Sequence, residues 1–360
     1  MGARTSLTPA RCRLVAAVLA AGTLVVLLAL TYLGRGRGPT WPVPPLPTSR
    51  ALSCRPCHAE VYEEWKSSSH AIAFVDPPVV EASQDFRNRD CIPCHAPRPV
   101  FESGAGVGTR VLARDAGRED GVDCLACHGV TGGVAAARAG LTAPCNPIET
   151  PLLLEIDVCA PCHDQHGTVS KEWFLSEHAA LGLGCSDCHM PAVARKSAEG
   201  GSERPGRSHR FPGAHDVEFL KTAIDVSYEL ETQVGTNTLT VSVTNRGAGH
   251  HVPTDSRDRA LDLVVRLFDE TGEIVSPEGL DGLREGSAGN LADHRLRFRN
   301  PYRTEFGLDD TRIAAGARGT LKVPLTESVS SAEIRVIYKL TPDLPDEAGY
   351  LLYESRVELR

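Results

Sequence analysis

Gly121-Val-Asp-Cys124-Leu-Ala-Cys127-His128-Gly129 holds the pattern that decides this chain: two cysteines three residues apart, with histidine at the next position. The pattern recurs in Cys54-Arg-Pro-Cys57-His58, Cys91-Ile-Pro-Cys94-His95, Cys159-Ala-Pro-Cys162-His163 and Cys185-Ser-Asp-Cys188-His189. Composition alone would produce about 0.014 matches in a chain of this length. Two thiols at this spacing reach the two vinyl groups of one porphyrin, and the following imidazole turns onto the iron. The pattern therefore reads as covalent c-type haem attachment. Zinc needs two cysteine pairs per ion, would leave one pair of five over, and gives no reason for histidine after every pair. A disulfide framework gives no such reason either. The expectation is five covalently bound haem c groups, held by Cys54, Cys57, Cys91, Cys94, Cys124, Cys127, Cys159, Cys162, Cys185 and Cys188, with His58, His95, His128, His163 and His189 as proximal iron ligands.

Successive motifs begin 37, 33, 35 and 26 residues apart. Such short connections force neighbouring haems close together, wrapped by short helices and loops. The second axial position of each iron then decides function: a second protein ligand makes an electron carrier, an open position admits substrate. Methionine is nearly absent, and Met190 adjoins His189, too near in sequence to reach over the same haem. Bis-histidine ligation is the default, with lower potentials than His/Met.

Eight histidines remain for this role. Trp65-x-x-Ser68-x-His70-Ala71 after the first motif repeats as Trp173-x-x-Ser176-x-His178-Ala179 after the fourth. Both copies lie on segments of helical character, 59–74 and 170–181, and the repeat outweighs the plainer reading of His70 and His178 as surface or core residues. Each helix points away from its own haem, so each histidine is expected to serve a neighbouring one. His209 and His215 lie in Ser208-His209-Arg-Phe-Pro-Gly-Ala-His215, a turn-rich stretch where histidines are commonly exposed, yet the irons need partners. One of His250 and His251 in Gly247-Ala-Gly-His250-His251-Val-Pro-Thr254 is expected to ligate, since glycines permit close backbone approach; position slightly favours His250. His166 and His294 are weaker candidates.

These stretches, with Cys185-Ser-Asp-Cys188-His189-Met190-Pro191, resemble the cytochrome c554-like multihaem family over about residues 51–260. The resemblance implies periplasmic electron transfer through stacked, closely spaced haems. It also implies that the first histidine of Gly-His-x-x-Pro-Thr, His250, is a distal ligand. Asp255 stands where the family tends to have glycine, and the chain continues well beyond a compact haem protein.

Upstream, residues 14–33 form an apolar run of twenty, long enough to cross a bilayer and longer than a usual secretory signal, although its small residues leave cleavage open. Three arginines precede it and two follow, which favours a cytoplasmic N-terminus. Five prolines between Pro39 and Pro47 read as a stiff spacer or a disordered tether. Formal net charge is −8, and residues 1–38 hold five arginines and no acid, so the remainder carries −13. That acidic body argues against nucleic acid and suits a basic redox partner. Cys12 and Cys145 stand outside the motifs.

Beyond Val217 cysteine disappears and alternation sets in. Residues 239–244, 261–268, 321–325, 334–340 and 350–359 read as strands, with a hairpin turn at 269–273. They predict a β-sandwich of immunoglobulin-like architecture, without the Cys and Trp hallmarks of that fold. Its first clear strand runs into the Gly-His-His-Val-Pro loop, so this domain is expected to return a ligand to a haem.

The fold class expected is α+β and multidomain: an N-terminal membrane anchor or signal (1–38), a Pro-rich linker (39–50), a mainly α-helical and irregular pentahaem domain (51–216) and a β-sandwich domain (217–360). The function expected is electron transfer in the periplasm, single-pass anchored in a bacterial inner membrane, with redox proteins or the membrane quinol system as partners. The competing reading is a reductase of a small nitrogen or sulfur oxyanion, or of nitric oxide, at one five-coordinate haem. Ammonia-forming nitrite reductases carry Cys-x-x-Cys-Lys at the catalytic haem, and no such motif occurs here. A passive structural or sensory module is a third reading, and five haems speak against it.

Overall fold

Cys, Cys and His at positions i, i+3 and i+4 share one face only if the motif is wound into helix. The computed structural model winds them so. Residues 51–138, 140–164, 168–233, 236–254, 259–276, 293–301 and 309–359 are described. The second to fifth motifs end helices α4 (Ile92–His95), α6 (Cys124–His128), α7 (Ile156–His163) and α10 (Cys185–His189). The first makes a helical turn, with the His58 amide donating to the Cys54 carbonyl at 2.9 Å. Asp123 starts α6: its carboxylate accepts the Ala126 amide at 3.0 Å and pairs with Arg114 at 2.7 Å.

Between the first two motifs run α1 (Ala59–Lys66), α2 (Ser69–Ile72) and α3 (Pro77–Ala82); α5 (Val100–Ser103) follows α4. After α7 come α8 (Val169–Phe174) and α9 (Glu177–Ala180). The sequence repeat is a structural repeat. Ser68 and Ser176 each donate a hydroxyl to the carbonyl of the tryptophan three residues earlier, at 2.6 and 2.7 Å, and break the helix there. Trp65 and Trp173 each spend the indole N–H on a distant carbonyl, of Val122 and Leu183, both at 2.8 Å. A fresh helical turn then begins, carrying His70 or His178.

Five short strands belong to the motif-bearing part: β1 (Gly129–Val130), β2 (Gly133–Ala136) and β3 (Pro147–Glu149) in one sheet, β4 (Ala192–Lys196) and β5 (Glu203–Arg207) in a hairpin. The hairpin connection returns to the first motif, where the Glu199 amide donates to the Cys57 carbonyl at 2.7 Å. Helix α11 (Val217–Thr222) leads into longer strands.

These are β6 (Ile224–Gln233), β7 (Thr236–Asn245), β8 (Ala260–Phe268), β9 (Ile274–Val275), β10 (His294–Phe298), β11 (Arg318–Leu325), β12 (Ser331–Lys339) and β13 (Tyr350–Glu358). One sheet runs β11-β7-β6; the other runs β10-β8-β12-β13, with β9 paired to β8. Leu239, Val241 and Val243 of β7 face Leu261, Leu263 and Val265 of β8 and Ile334 and Val336 of β12 across one core. All are shut off from water, and each such side chain contributes about 2 kcal/mol by burial. The five strands expected after Val217 are present, and the Asp269 carboxylate closes the β8–β9 turn by accepting the Thr271 and Glu273 amides. Strands β6 and β10 and the small sheets near the motifs were not anticipated. On β6, Tyr228 and Leu230 remain 44% exposed, so the strand buries only half of its apolar face.

All the described residues fall within one compact unit, Leu46–Arg360. Helix and sheet content is mixed, as expected. No helix among the described residues is long and apolar enough to cross a membrane. The anchor expected at 14–33 and the linker at 39–50 lie outside the described residues.

Candidate haem site

Four of the five motif histidines are set by backbone carbonyls. Nδ1 of His58 lies 2.6 Å from the Ser197 carbonyl, of His95 2.7 Å from Ala73, of His128 2.9 Å from Ala135 and of His189 2.8 Å from Pro212. A carbonyl only accepts, so each Nδ1 must carry the proton and each Nε2 keeps its lone pair for a metal.

Three of the remaining histidines stand beside a motif histidine. The ring of His70 stands 6.0 Å from that of His163, His209 stands 6.2 Å from His128, and His250 stands 6.4 Å from His189. The last two pairs are nearly parallel, at 25° and 14°. Two metal–imidazole bonds of roughly 2 Å each, plus the ring-centre-to-nitrogen distances, span about 6 Å. Direct stacking would bring the rings closer. The gaps therefore fit one iron each. His209 and His250 also hold Nδ1 3.0 Å from carbonyls, of Arg207 and His251, which leaves the Nε2 lone pair free for a metal.

Burial keeps these rings neutral, as a metal ligand must be. It pushes His70 down to about 3, with His163 and His189 adding to the effect, and His209 down to about 4 beside His128. Burial also lowers His128, His163 and His250.

The thiols show which motifs adjoin. The thiol of Cys54 adjoins that of Cys124, Cys94 adjoins Cys162, and Cys159 adjoins Cys185. Motifs one and three, two and four, and four and five are thus neighbours, an order different from that along the chain.

Residues 53–129 match the family described as cytochrome c554 and c-prime. That match spans the first three motifs. The chain is similar in fold to a penta-heme cytochrome c552 from Thermochromatium tepidum, with a TM-score of 0.63 at 19% identity over 86% of this chain and 98% of that one. Two further structures, a DUF1425 family member from Shewanella sp. pv-4 (11% identity, 40% of this chain, 84% of that one) and a structural-genomics target, SoR45 (9%, 37% and 82%), both have TM-scores of 0.18, too low to support any argument. No curated protein matches by sequence.

The structure brings together His70, His209 and His250 with motif histidines, but not the other two expected distal ligands. Among the described residues no histidine ring faces His58 or His95 at this spacing. His178 has its Nδ1 buried without a hydrogen-bond partner. His215 is half-buried and lowered by burial and Arg259. His294 lies on β10 and His166 lies outside the described residues.

What stands 6.3 Å from the His95 ring is Phe86, tilted by 61° and itself stacked on Phe74 at 4.0 Å. Phe86 is held there by an unusual backbone: Gln84, Asp85 and Phe86 all have positive φ, of 54°, 58° and 53°. Side chains crowd the backbone in that region, so three in succession mark an imposed conformation. The Ser83 hydroxyl, accepting the Phe86 amide at 3.0 Å, helps impose it. No sequence pattern singled out Phe86. The unusual run shows only in the backbone.

Proposed function

We propose that this chain carries five haem c groups, one per motif, and moves electrons between them in the periplasm, anchored in a bacterial inner membrane by residues 14–33. The observation that carries the reading is the set of three histidine pairs 6.0–6.4 Å apart. Each fits a low-spin iron closed on both sides, which exchanges electrons and admits no substrate. The thiol contacts between motifs support short steps between haems. His178 and His215 remain the distal candidates for the irons of His58 and His95. The division into a haem domain at 51–216 and a β-sandwich domain at 217–360 belongs to the same reading, with His250 as the ligand the second domain returns. The acidic body suits a basic redox protein, and the anchor suits reduction from a quinol pool.

Electron paramagnetic resonance of the oxidised protein tests the carrier reading, with at least three low-spin bis-histidine haems expected. Fewer than three would sink it. Reduction by purified membranes, blocked by a quinol-site inhibitor, is the outcome expected of the donor proposal; reduction indifferent to the inhibitor would remove it.

One observation favours the second reading, reduction of a small nitrogen or sulfur oxyanion or of nitric oxide. The ring that stands 6.3 Å from His95 is that of Phe86, which cannot ligate. A single high-spin haem per chain that reduces nitric oxide would support such chemistry. Five low-spin haems would exclude it.

A further inference from the structure

The repeat of α1–α2 and α8–α9 reaches one residue further back than the tryptophans. Glu64 precedes Trp65 and Glu172 precedes Trp173. We propose that these two carboxylates are positioning residues, each fastening the distal histidine of a haem that its own helix does not bind. The proposal rests on the reading of His209 and His250 as iron ligands.

Glu64 Oε2 accepts the backbone amide of His209 at 2.8 Å and the guanidinium of Arg195 at 2.8 Å. Arg195 also donates to the Arg207 carbonyl at 3.0 Å, the same carbonyl that takes His209 Nδ1. One carboxylate and one guanidinium thereby fix both the backbone of His209 and the rotation of its ring. Glu172 does the equivalent on the other copy. Its Oε2 accepts the backbone amide of His251 at 3.0 Å, and its Oε1 accepts from Arg312 at 2.8 Å. The His251 carbonyl takes His250 Nδ1. Each clamp therefore holds the backbone next to the carbonyl that sets the ligand ring.

Burial decides that these are more than surface pairs. The side chains of Arg195 and Arg312 are 6% and 3% exposed, and those of Glu64 and Glu172 16% and 8%. Ion pairs so enclosed hold one geometry, whereas exposed ones exchange with water. Each pair also ties distant stretches together: Glu64 reaches 131 residues to Arg195, and Glu172 reaches 140 to Arg312. Through Glu172 the helix after the fourth motif holds the loop carrying His250. Through Glu64 helix α1, which leads into the turn that presents His70 to His163, also holds His209 against His128. The ligand shells of neighbouring haems are thus joined mechanically.

The test uses the full-length holoprotein, with Glu64→Ala, Glu172→Ala, His209→Ala and His250→Ala made singly and as Glu172→Ala/His250→Ala. The readouts are the oxidised paramagnetic resonance spectrum and the number of haems per chain that bind carbon monoxide when reduced. Glu172→Ala should raise that number by one and broaden the low-spin signal that His250→Ala abolishes. Glu64→Ala should do the same to the signal that His209→Ala abolishes. The double variant should bind no more carbon monoxide than His250→Ala alone. A role in folding alone would disturb all haems together, and that outcome overturns the proposal. So does an unchanged number and spectrum in both glutamate variants while the histidine variants each lose a low-spin haem. If the histidine variants themselves leave every low-spin signal intact, the ligand reading has failed instead.

Discussion

Replacing His250 by alanine should turn one low-spin haem high-spin and leave the protein folded. The loop around His250 is held by groups other than its side chain. Asn245, fully buried, donates its amide to the His250 carbonyl at 2.8 Å and to the Ile313 carbonyl at 3.0 Å, and accepts the Ala248 amide at 3.2 Å. Val252 and Ile313 exchange backbone hydrogen bonds at 2.9 Å. None of these contacts uses the imidazole. The substitution removes one side-chain hydrogen bond, from Nδ1 to the His251 carbonyl, worth about 1 kcal/mol apart from the metal bond. The gap left opposite His189 is one imidazole deep, so added imidazole should enter it and restore the low-spin state. Resonance spectra of the oxidised variant, with and without imidazole, read both effects. Retention of every wild-type low-spin signal, in a variant with unchanged haem content, would refute the assignment of His250 to the His189 iron.

Asn245→Ala removes three hydrogen bonds from a dry site and should cost roughly 3 kcal/mol, read in denaturant unfolding of the sandwich. Phe86→Ala should speed nitric oxide or carbon monoxide binding to the His95 haem in stopped flow, and should cost about 2 kcal/mol by losing the stack on Phe74. Asp346 gives a pH dependence. Burial alone would raise its carboxyl, but hydrogen bonds from Arg295 and Lys339 outweigh it and hold the group at about 2. A carboxyl depressed on folding stabilises the fold above its unfolded value of roughly 4 and loses that contribution as pH falls toward 2. Asp346→Asn should therefore flatten the stability profile over that interval, as measured by circular dichroism; a profile parallel to wild type would show that the pair does not contribute.

Strands and site were legible to different depths. The alternation of Leu239, Val241 and Val243 announces a half-buried strand because side-chain direction has period two. The outward faces were less readable. Asp262 and Lys339 look like solvent positions, yet both are fully buried and paired, Asp262 with Arg295 and Arg297 and Lys339 with Asp346. The Trp-x-x-Ser-x-His repeat was visible as residues, but its reason, a serine hydroxyl ending one helix and a tryptophan N–H pinning it, appears only as hydrogen bonds. Phe86 had no signature, because the backbone turn that aims it depends on Ser83 and on packing against Phe74.

By itself the sequence pointed to covalent haem attachment, because thioether attachment is a matter of local spacing and needs no distant residue. It also supplied the histidines from which the second ligands are drawn. Which of them faces which iron is a long-range question. His70 meets His163 across 93 residues, and His209 meets His128 across 81, through contacts that no local pattern encodes. Tertiary structure alone decided those partners, placed motif one beside three and two beside four, and brought a phenylalanine ring within 6.3 Å of His95. Ligation at an iron needs two side chains brought to opposite sides of one plane, and only the folded chain does that.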